Sequence, residues 1–363
     1  MGRMRIERFD PEADPARTQA CYQAYLAGAP VDDPCFPPMS LQAFTGWLAC
    51  GWTEDDPEVW SAGSSPDDAD GYYTVGMPRR ENRYLAQIHL QVTPARRRSG
   101  IGAALLRHAA ARAAEMGRTT LAGDTREGSP GDAFAQALGA RRGITEVLRV
   151  LDLAAAPAGE RAGLRTEAGR GARGYELLSW KGTVPEEHLG RVAVVCAALG
   201  DAPHDADIEA QVWDVDRVRA GQRRVELQGL RYYSVAAQCA SGGEFAGLTQ
   251  LAVDPQNPQW GLQELTAVAR RHRGHRLGLL LKIAMLDLLA EREPQLRWII
   301  TGNADGNAHM IAINALLGFQ IFDRWASWQL DVAKALALPG PRQGRAASGL
   351  IPRPAGPPGP AQS

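Results

Sequence analysis

Residues 84–102 read YLAQIHLQVTPARRRSGIG. Leu85 aside, the first nine alternate: Ile88, Leu90 and Val92 share one face, and Gln87, His89 and Gln91 share the other. Alternation with period two predicts a half-buried β-strand. A short basic loop with Gly100 and Gly102 follows, and the Ala/Leu-rich run Ile101–Met116 predicts an α-helix. Such a junction suits a phosphate-bearing ligand. Glycine lets backbone approach oxygen closely, the first helical turn offers unpaired N–H groups, and the helix dipole favours an anion. Read alone, the same residues equally describe a glycine-rich turn with solvated arginines.

Working outward, Ala16–Ala27 predicts a helix, and Glu58–Ala62 and Gly71–Met77 predict strands. Downstream, Thr119–Thr125 reads as a strand, Asp132–Leu138 as a helix and Ile144–Leu153 as a strand. The small, Gly-rich stretch 154–172 reads as a linker. The order then recurs: strand Tyr175–Trp180, helix Glu186–Leu199, strands Arg231–Gln238, Glu244–Val253 and Trp260–Val268, a basic loop, and helix Leu277–Glu291. Strand Arg297–Thr301, helix Asn307–Leu317 and strand Trp325–Val332 close the second unit. Val92 maps to Val268, Arg97 to Arg273 and Gly102 to Gly278, each 176 residues on, and Gln87 maps to Gln263 at the same spacing. Spacing held across strand, loop and helix predicts two copies of one α/β unit, 1–153 and 173–335. Residues 336–363 are rich in Pro and Gly, have too few large apolar side chains for a core, and are expected to be disordered.

Composition narrows the function. Forty basic and 41 acidic residues leave a net charge of −1, against a broad nucleic-acid or anionic-membrane surface. Five scattered cysteines form no CxxC pair and no zinc-like cluster with histidine, so reduced thiols and a cytoplasmic, metal-free protein are expected. No apolar run approaches the length of a membrane span.

Arg97-Arg98-Ser99-Gly100-Ile101-Gly102 resembles the Arg/Gln-x-x-Gly-x-Gly/Ala acyl-CoA signature of the GNAT superfamily of N-acetyltransferases. In the second copy Asn307, Gly318 and Phe319 match the family's N-x(6)-Y-x-x-x-G-F segment. The resemblance implies two tandem domains, each a mixed sheet splayed between its fourth and fifth strands and flanked by helices. Pantetheine enters the splay and pyrophosphate sits at the loop. The tandem layout is similar to that of the mycothiol synthases. Expected cofactor contacts are Val92 and Arg97, Arg98, Ser99, Gly100, Ile101 and Gly102 in the first copy. In the second they are Val268, Arg273, Gly274, His275, Arg276, Leu277, Gly278 and Asn307, with the Val268 backbone near the thioester carbonyl. Arg276 stands where the family has glycine; it can meet phosphate or block the cofactor. Asn314 stands in the place of the family's catalytic tyrosine. The first copy has Gly128 and Ala135 in the places of Asn307 and Asn314.

An amine with pKa near 10.4 is uncharged in only about one part in two thousand at neutral pH, so N-acylation gains from a nearby base. Glu264, four residues before Val268, is the expected base, and Ile88 at the matching place in the first copy cannot take a proton. An ion pair with an arginine is the other role open to Glu264. Gln263 and Thr266 are candidates to orient substrate. His272 and His275, among arginines, read as loop residues. Trp47, Trp52, Trp60, Trp325 and Trp328 read as core or acceptor-pocket walls. The whole points to an acetyl-CoA-dependent N-acetyltransferase acting on a small-molecule amine, as a monomer or homodimer, with chemistry in the second copy. A non-catalytic acyl-CoA-binding or partner-binding scaffold is the alternative. An aminoacyl-tRNA-dependent transferase fits poorly with the intact loop and the balanced charge.

Overall fold

The computed structural model describes residues 4–51, 56–155 and 158–338, the side chains of 158–160 excepted; Trp52 and the tail from 339 onward lie outside them. In chain order the first copy is β1 (Arg5–Phe9), α1 (Pro15–Asp32), α2 (Leu41–Cys50), β2 (Glu58–Gly63), β3 (Gly71–Gly76), β4 (Leu85–Val92), α3 (Ile101–Glu115), β5 (Thr120–Arg126), α4 (Pro130–Ala137) and β6 (Arg141–Asp152). The second is α5 (Ala158–Gly171), β7 (Tyr175–Lys181), α6 (Leu189–Cys196), α7 (Val215–Leu227), β8 (Arg231–Cys239), β9 (Phe245–Val253), β10 (Trp260–Val268), α8 (Leu277–Arg292), β11 (Trp298–Ala304), α9 (Ala308–Leu316), β12 (Gln320–Asp331) and α10 (Val332–Leu336).

The described strands form one mixed sheet of 12, ordered β1-β2-β3-β4-β5-β12-β6-β11-β10-β9-β8-β7. Only β4–β5 and β10–β11 pair in parallel. The closing strands are exchanged: β12 of the second copy lies between β5 and β6, and β6 of the first lies between β12 and β11. Each is 12 residues long, so each pairs along both edges.

Alternation sorts side chains onto two faces. On one, Tyr73, Val75, Ala86, Ile88, Leu90 and Val92 pack under α3, and Tyr233, Val235, Leu251 and Ile299 pack with α8 and α9. On the other, α1 and α2 cover Tyr72 and Val59, and α6 and α7 cover Ala236 and Leu248. There α2 and α7 meet so closely that a β-carbon on Gly46 would strike the backbone of Leu227 and Gln228. The segments that follow α1 and α6 cross between copies on this face. Ser40 N donates to Asp254 and Phe36 packs edge-on against Phe322, while Tyr84 OH donates to Asp207 O and Asn82 bonds Glu209.

The expected linker is a helix over most of its length. Ala168 and Ala172 are fully or nearly buried in the core that α8 shares, so tertiary packing overrides a Gly-rich composition. The second closing strand begins at Gln320, five residues before the expected Trp325, and α10 runs to Leu336 where a disordered tail was expected to begin. α2 and α7 were not anticipated.

Lys282 in the middle of α8 is 2% exposed, its ammonium 5.2 Å from the Phe319 ring centroid. Burial pushes its pKa down to about 7. The residue 176 positions earlier is Leu106, which is buried in the first core. Lys282→Leu is therefore expected to raise stability by about 2 kcal/mol at pH 7. Because the folded pKa lies below the unfolded value near 10.4, the wild type gains stability as pH rises from 7 towards 10, and the variant lacks that rise. Thermal melts across that range measure both.

Candidate functional site

Two gaps open in the sheet. β4 pairs with β5 only from Leu85↔Thr120 to Gln87↔Ala122, and β10 pairs with β11 only from Trp260↔Trp298 to Gln263↔Thr301; beyond these the parallel neighbours separate. The second gap carries a β-bulge: Gln263 pairs with Leu251 and Leu265 with Gln250, leaving Glu264 as the extra residue. β4 runs against β3 without such a shift. The bulge changes the reading of the repeat. The 176-residue spacing holds from the strand ends through the loops, but Ile88 packs on the α3 face whereas Glu264 reaches α7 on the other. Glu264 thus has no counterpart in the first copy. Gln263 is buried, and its amide donates to Thr249 Oγ1 (2.8 Å) and Gln250 O (3.0 Å), while Thr266 bonds Thr249 (2.7 Å). Both side chains pin the bulge.

The two loops share one backbone path. Arg98 and Gly100 have φ of 63° and 89°, Gly274 and Arg276 have 86° and 56°, so each loop places one glycine and one arginine in left-handed positions, in opposite order. Arg276 adopts the conformation of Gly100 at a cost of about 1 kcal/mol. Its guanidinium turns aside to Glu167 on α5 (2.8 Å). The first intrahelical bonds are Ala104 N to Gly100 O and Leu280 N to Arg276 O, which leaves the N–H groups of Ile101–Ala103 and Leu277–Leu279 at the helix mouths. Arg97 Nε donates to Val92 O (2.9 Å) and its Nη2 to Asp32 (2.5 Å); Arg273 does the same to Val268 O (3.3 Å) and Asp201 (2.6 Å). These arginines brace the loops. Arg270 and Arg273 together hold Asp201 down at about 2. Arg98 is exposed and has no acidic partner among the described residues. Ser99 Oγ donates to Arg96 O. His272 is buried, with Nδ1 3.0 Å from Tyr175 OH, and His275 packs on the same ring.

Of the remaining site residues, Asn307 caps α9, its side chain accepting from Met310 N. In the first copy Ser129 performs that task for α4. Asn314 is fully buried; its Nδ2 donates to Asn303 Oδ1 (2.7 Å) and its Oδ1 has no partner. Glu264 Oε2 accepts from Arg224 (2.8 Å) and Tyr232 OH (2.6 Å), and Oε1 is buried without a partner. The ion-pair role left open by the sequence is therefore the one observed. Arg224 and Tyr232 lie 40 and 32 residues away, beyond local pattern.

No protein-family profile and no curated protein sequence matches the chain. Solved structures do. A tandem GNAT protein from the clavulanic acid biosynthesis pathway superposes with a TM-score of 0.74 at 28% identity, over 91% of this chain and 99% of that one. The chain has the tandem GNAT fold. A GCN5-related N-acetyltransferase from Sphaerobacter thermophilus shares the fold at TM-score 0.61 and 15% identity, over 93% and 96% of the two chains. The glucosamine N-acetyltransferase region of a fungal multi-domain β-N-acetylglucosaminidase does so at 0.60 and 14%, over 91% of this chain and 38% of that one.

On this tandem GNAT sheet, three titratable side chains lie on the face opposite α3 and α8. His89, Asp124 and Glu146 keep exposed surface, yet desolvation dominates the titration of all three. His89 stands edge-to-face with Trp47 (4.7 Å between centroids) and is pushed down to about 4 by burial. Asp124 is raised by burial and by Asp205, and Glu146 by burial and by Asp124. Sequence reasoning passed over these carboxylates, Asp124 on β5 and Glu146 on β6, because neither stands in a motif. Among the described residues no helix is long and apolar enough to cross a membrane, and no His/Cys/Asp/Glu group could hold a metal ion.

Two outcomes follow from this geometry. Glu264→Ala removes the acceptor that Arg224 and Tyr232 share and is expected to cost about 2 kcal/mol in urea unfolding, whereas Glu264→Gln, which keeps an acceptor oxygen, recovers part of the loss. His89, titrating near 4 when folded and near 6.5 when unfolded, makes the protein lose stability as pH falls from 6.5 to 4. His89→Gln removes that part of the pH dependence, and imidazole NMR titration reports the folded value directly.

Proposed function

We propose that the chain is an acyl-CoA-dependent N-acyltransferase that uses acetyl-CoA and a small-molecule amine, with the reaction in the second splay. One observation carries the reading: the β10–β11 opening, the Glu264 bulge and the N–H mouth of α8 converge on one end of one strand. The donor supplies a thioester acyl group. The N–H groups of Leu277–Leu279 suit its pyrophosphate, with the dipole of a 16-residue helix behind them. The orphaned Asn314 Oδ1 suits an amide N–H of the pantetheine arm, since a buried acceptor left unpaired is costly. Glu264 Oε1 suits an N–H of the acceptor. Arg276, turned to Glu167, keeps the loop path without filling it. The five cysteines are unpaired, and those at 21, 50 and 196 are buried with thiols raised to about 12, 11 and 12, in keeping with a reducing, cytoplasmic setting.

The first loop is equally intact, so a supporting copy that also takes up acyl-CoA fits the geometry. The test is calorimetry with acetyl-CoA and with pantetheine lacking the phosphates. Acetyl-CoA is expected to bind more tightly. Gly278→Glu puts a charged side chain against Ile313 and Val268 beside the second mouth and is expected to abolish turnover in a protein that circular dichroism shows folded; Gly102→Glu is expected to lower stoichiometry or stability only. Absence of acetyl-CoA binding at millimolar concentration overturns the acyltransferase reading, and loss of turnover in a folded Gly102→Glu protein moves the chemistry to the first copy.

A further inference from the structure

The exchanged strand brings a side chain of the first copy to the gap of the second. Gly302 is the residue of β11 that follows the last pair with β10, Gln263↔Thr301. It pairs with Leu148 on β6, and Glu146 lies two residues along the same strand face. A β-carbon on Gly302 would overlap Glu146 Oε1, so the carboxylate lies directly over the bare backbone at the gap. Glycine at 302 leaves that space. The gap is thus flanked by two carboxylates: Glu264 on the β10 side and Glu146 above β11. Their states differ. Glu264 already shares one oxygen with Arg224 and Tyr232, whereas Glu146 has no hydrogen bond or ion pair among the described residues and keeps exposed surface.

We propose that Glu146, carried into the second copy by strand exchange, is the group that takes the proton from the acceptor amine. This rests on the reading of the second splay as an N-acyl transfer site. An ammonium loses one proton to the Glu146 carboxylate, and its nitrogen lone pair forms the N–C bond as the thioester C–S bond breaks. The remaining excess proton leaves with the coenzyme A thiolate, giving amide, thiol and a protonated Glu146 that returns its proton to water. The surroundings fit a base rather than a structural ion. Asp124 on β5 and Asp205, between α6 and α7, are the acids nearby. Three arginines on β6, β12 and β5 are committed elsewhere: Arg142 of β6 to Glu127, Arg324 of β12 to Asp305 and Arg126 of β5 to Asp323. Burial and Asp124 raise the carboxyl, bringing it closer to the working pH of a general base. Glu264, neutralised by Arg224, positions the amine through its free oxygen.

The experiment compares wild type, Glu146→Gln, Glu146→Asp and Asp124→Asn with acetyl-CoA and three probe amines, spermidine, tyramine and lysine methyl ester. The expected result is a loss of at least about 100-fold in kcat/KM for Glu146→Gln, with acetyl-CoA affinity and melting temperature unchanged. Glu146→Asp recovers part of the rate, and Asp124→Asn moves the acid limb of the pH profile to lower pH. Carboxyl NMR on glutamate-labelled protein is the second readout. One glutamate titrating above the ordinary range is expected in wild type, shifting when acetyl-CoA binds and missing from Glu146→Gln; it decides the matter if none of the amines turns over. Wild-type kcat/KM and pH profile in Glu146→Gln, or a glutamate at its ordinary value, overturns the role of Glu146 and leaves the transferase reading standing. No binding of acetyl-CoA by the wild type overturns both.

Discussion

The structure depends on the antiparallel pairing of β6 with β12. Each closing strand leaves its own copy and inserts beside the other's, so neither half-sheet is complete alone. Each of these strands pairs along both edges with strands of both copies, and together they fix the copies in one register. The helices α2 and α7 join the copies a second time, meeting at Gly46 where no side chain can fit. Everything at the site follows from this arrangement. The gaps open on either side of the exchanged pair, and the acids beside them come from both copies.

The two gaps share a backbone and differ in side chains. In both loops an arginine braces the carbonyl that ends the preceding strand, and an acid from the opposite layer, Asp32 or Asp201, holds that arginine. The left-handed positions are shared, with glycine and arginine interchanged. The walls diverge. The first gap has His89 and Asp124 on the face opposite α3, and the second has Glu264 and Glu146. One inserted residue on β10 accounts for much of this, because a bulge turns the chain by one side chain and presents a carboxylate where regular pairing would present an apolar group.

Much of this was legible in the sequence and some of it was not, for reasons that particular residues make plain. Alternation in 84–92 and the Gly-containing loops are local signals, and they located the strand–loop–helix junctions. The repeat was visible because loop and helix geometry tolerates few insertions. The bulge was invisible: fixed spacing across the loop concealed a change of face at Glu264, so Ile88 was matched to it. Strand exchange has no local signature, since β6 and β12 carry no mark of which edge they join. α5 forms because Ala168 and Ala172 are buried against the core, not because its residues favour a helix. Glu264 with Arg224 and Glu146 with Gly302 are long-range meetings that no local pattern marks.

The central claim is that the opening between β10 and β11, bounded by strands from both copies, is where an acyl-CoA enters. A crystal structure with a non-hydrolysable acetyl-CoA analogue tests it most directly. The account predicts pyrophosphate on the N–H groups of Leu277–Leu279, pantetheine between β10 and β11, and the acyl end between Glu264 and Glu146. An analogue found only between β4 and β5, or outside both gaps, would contradict it.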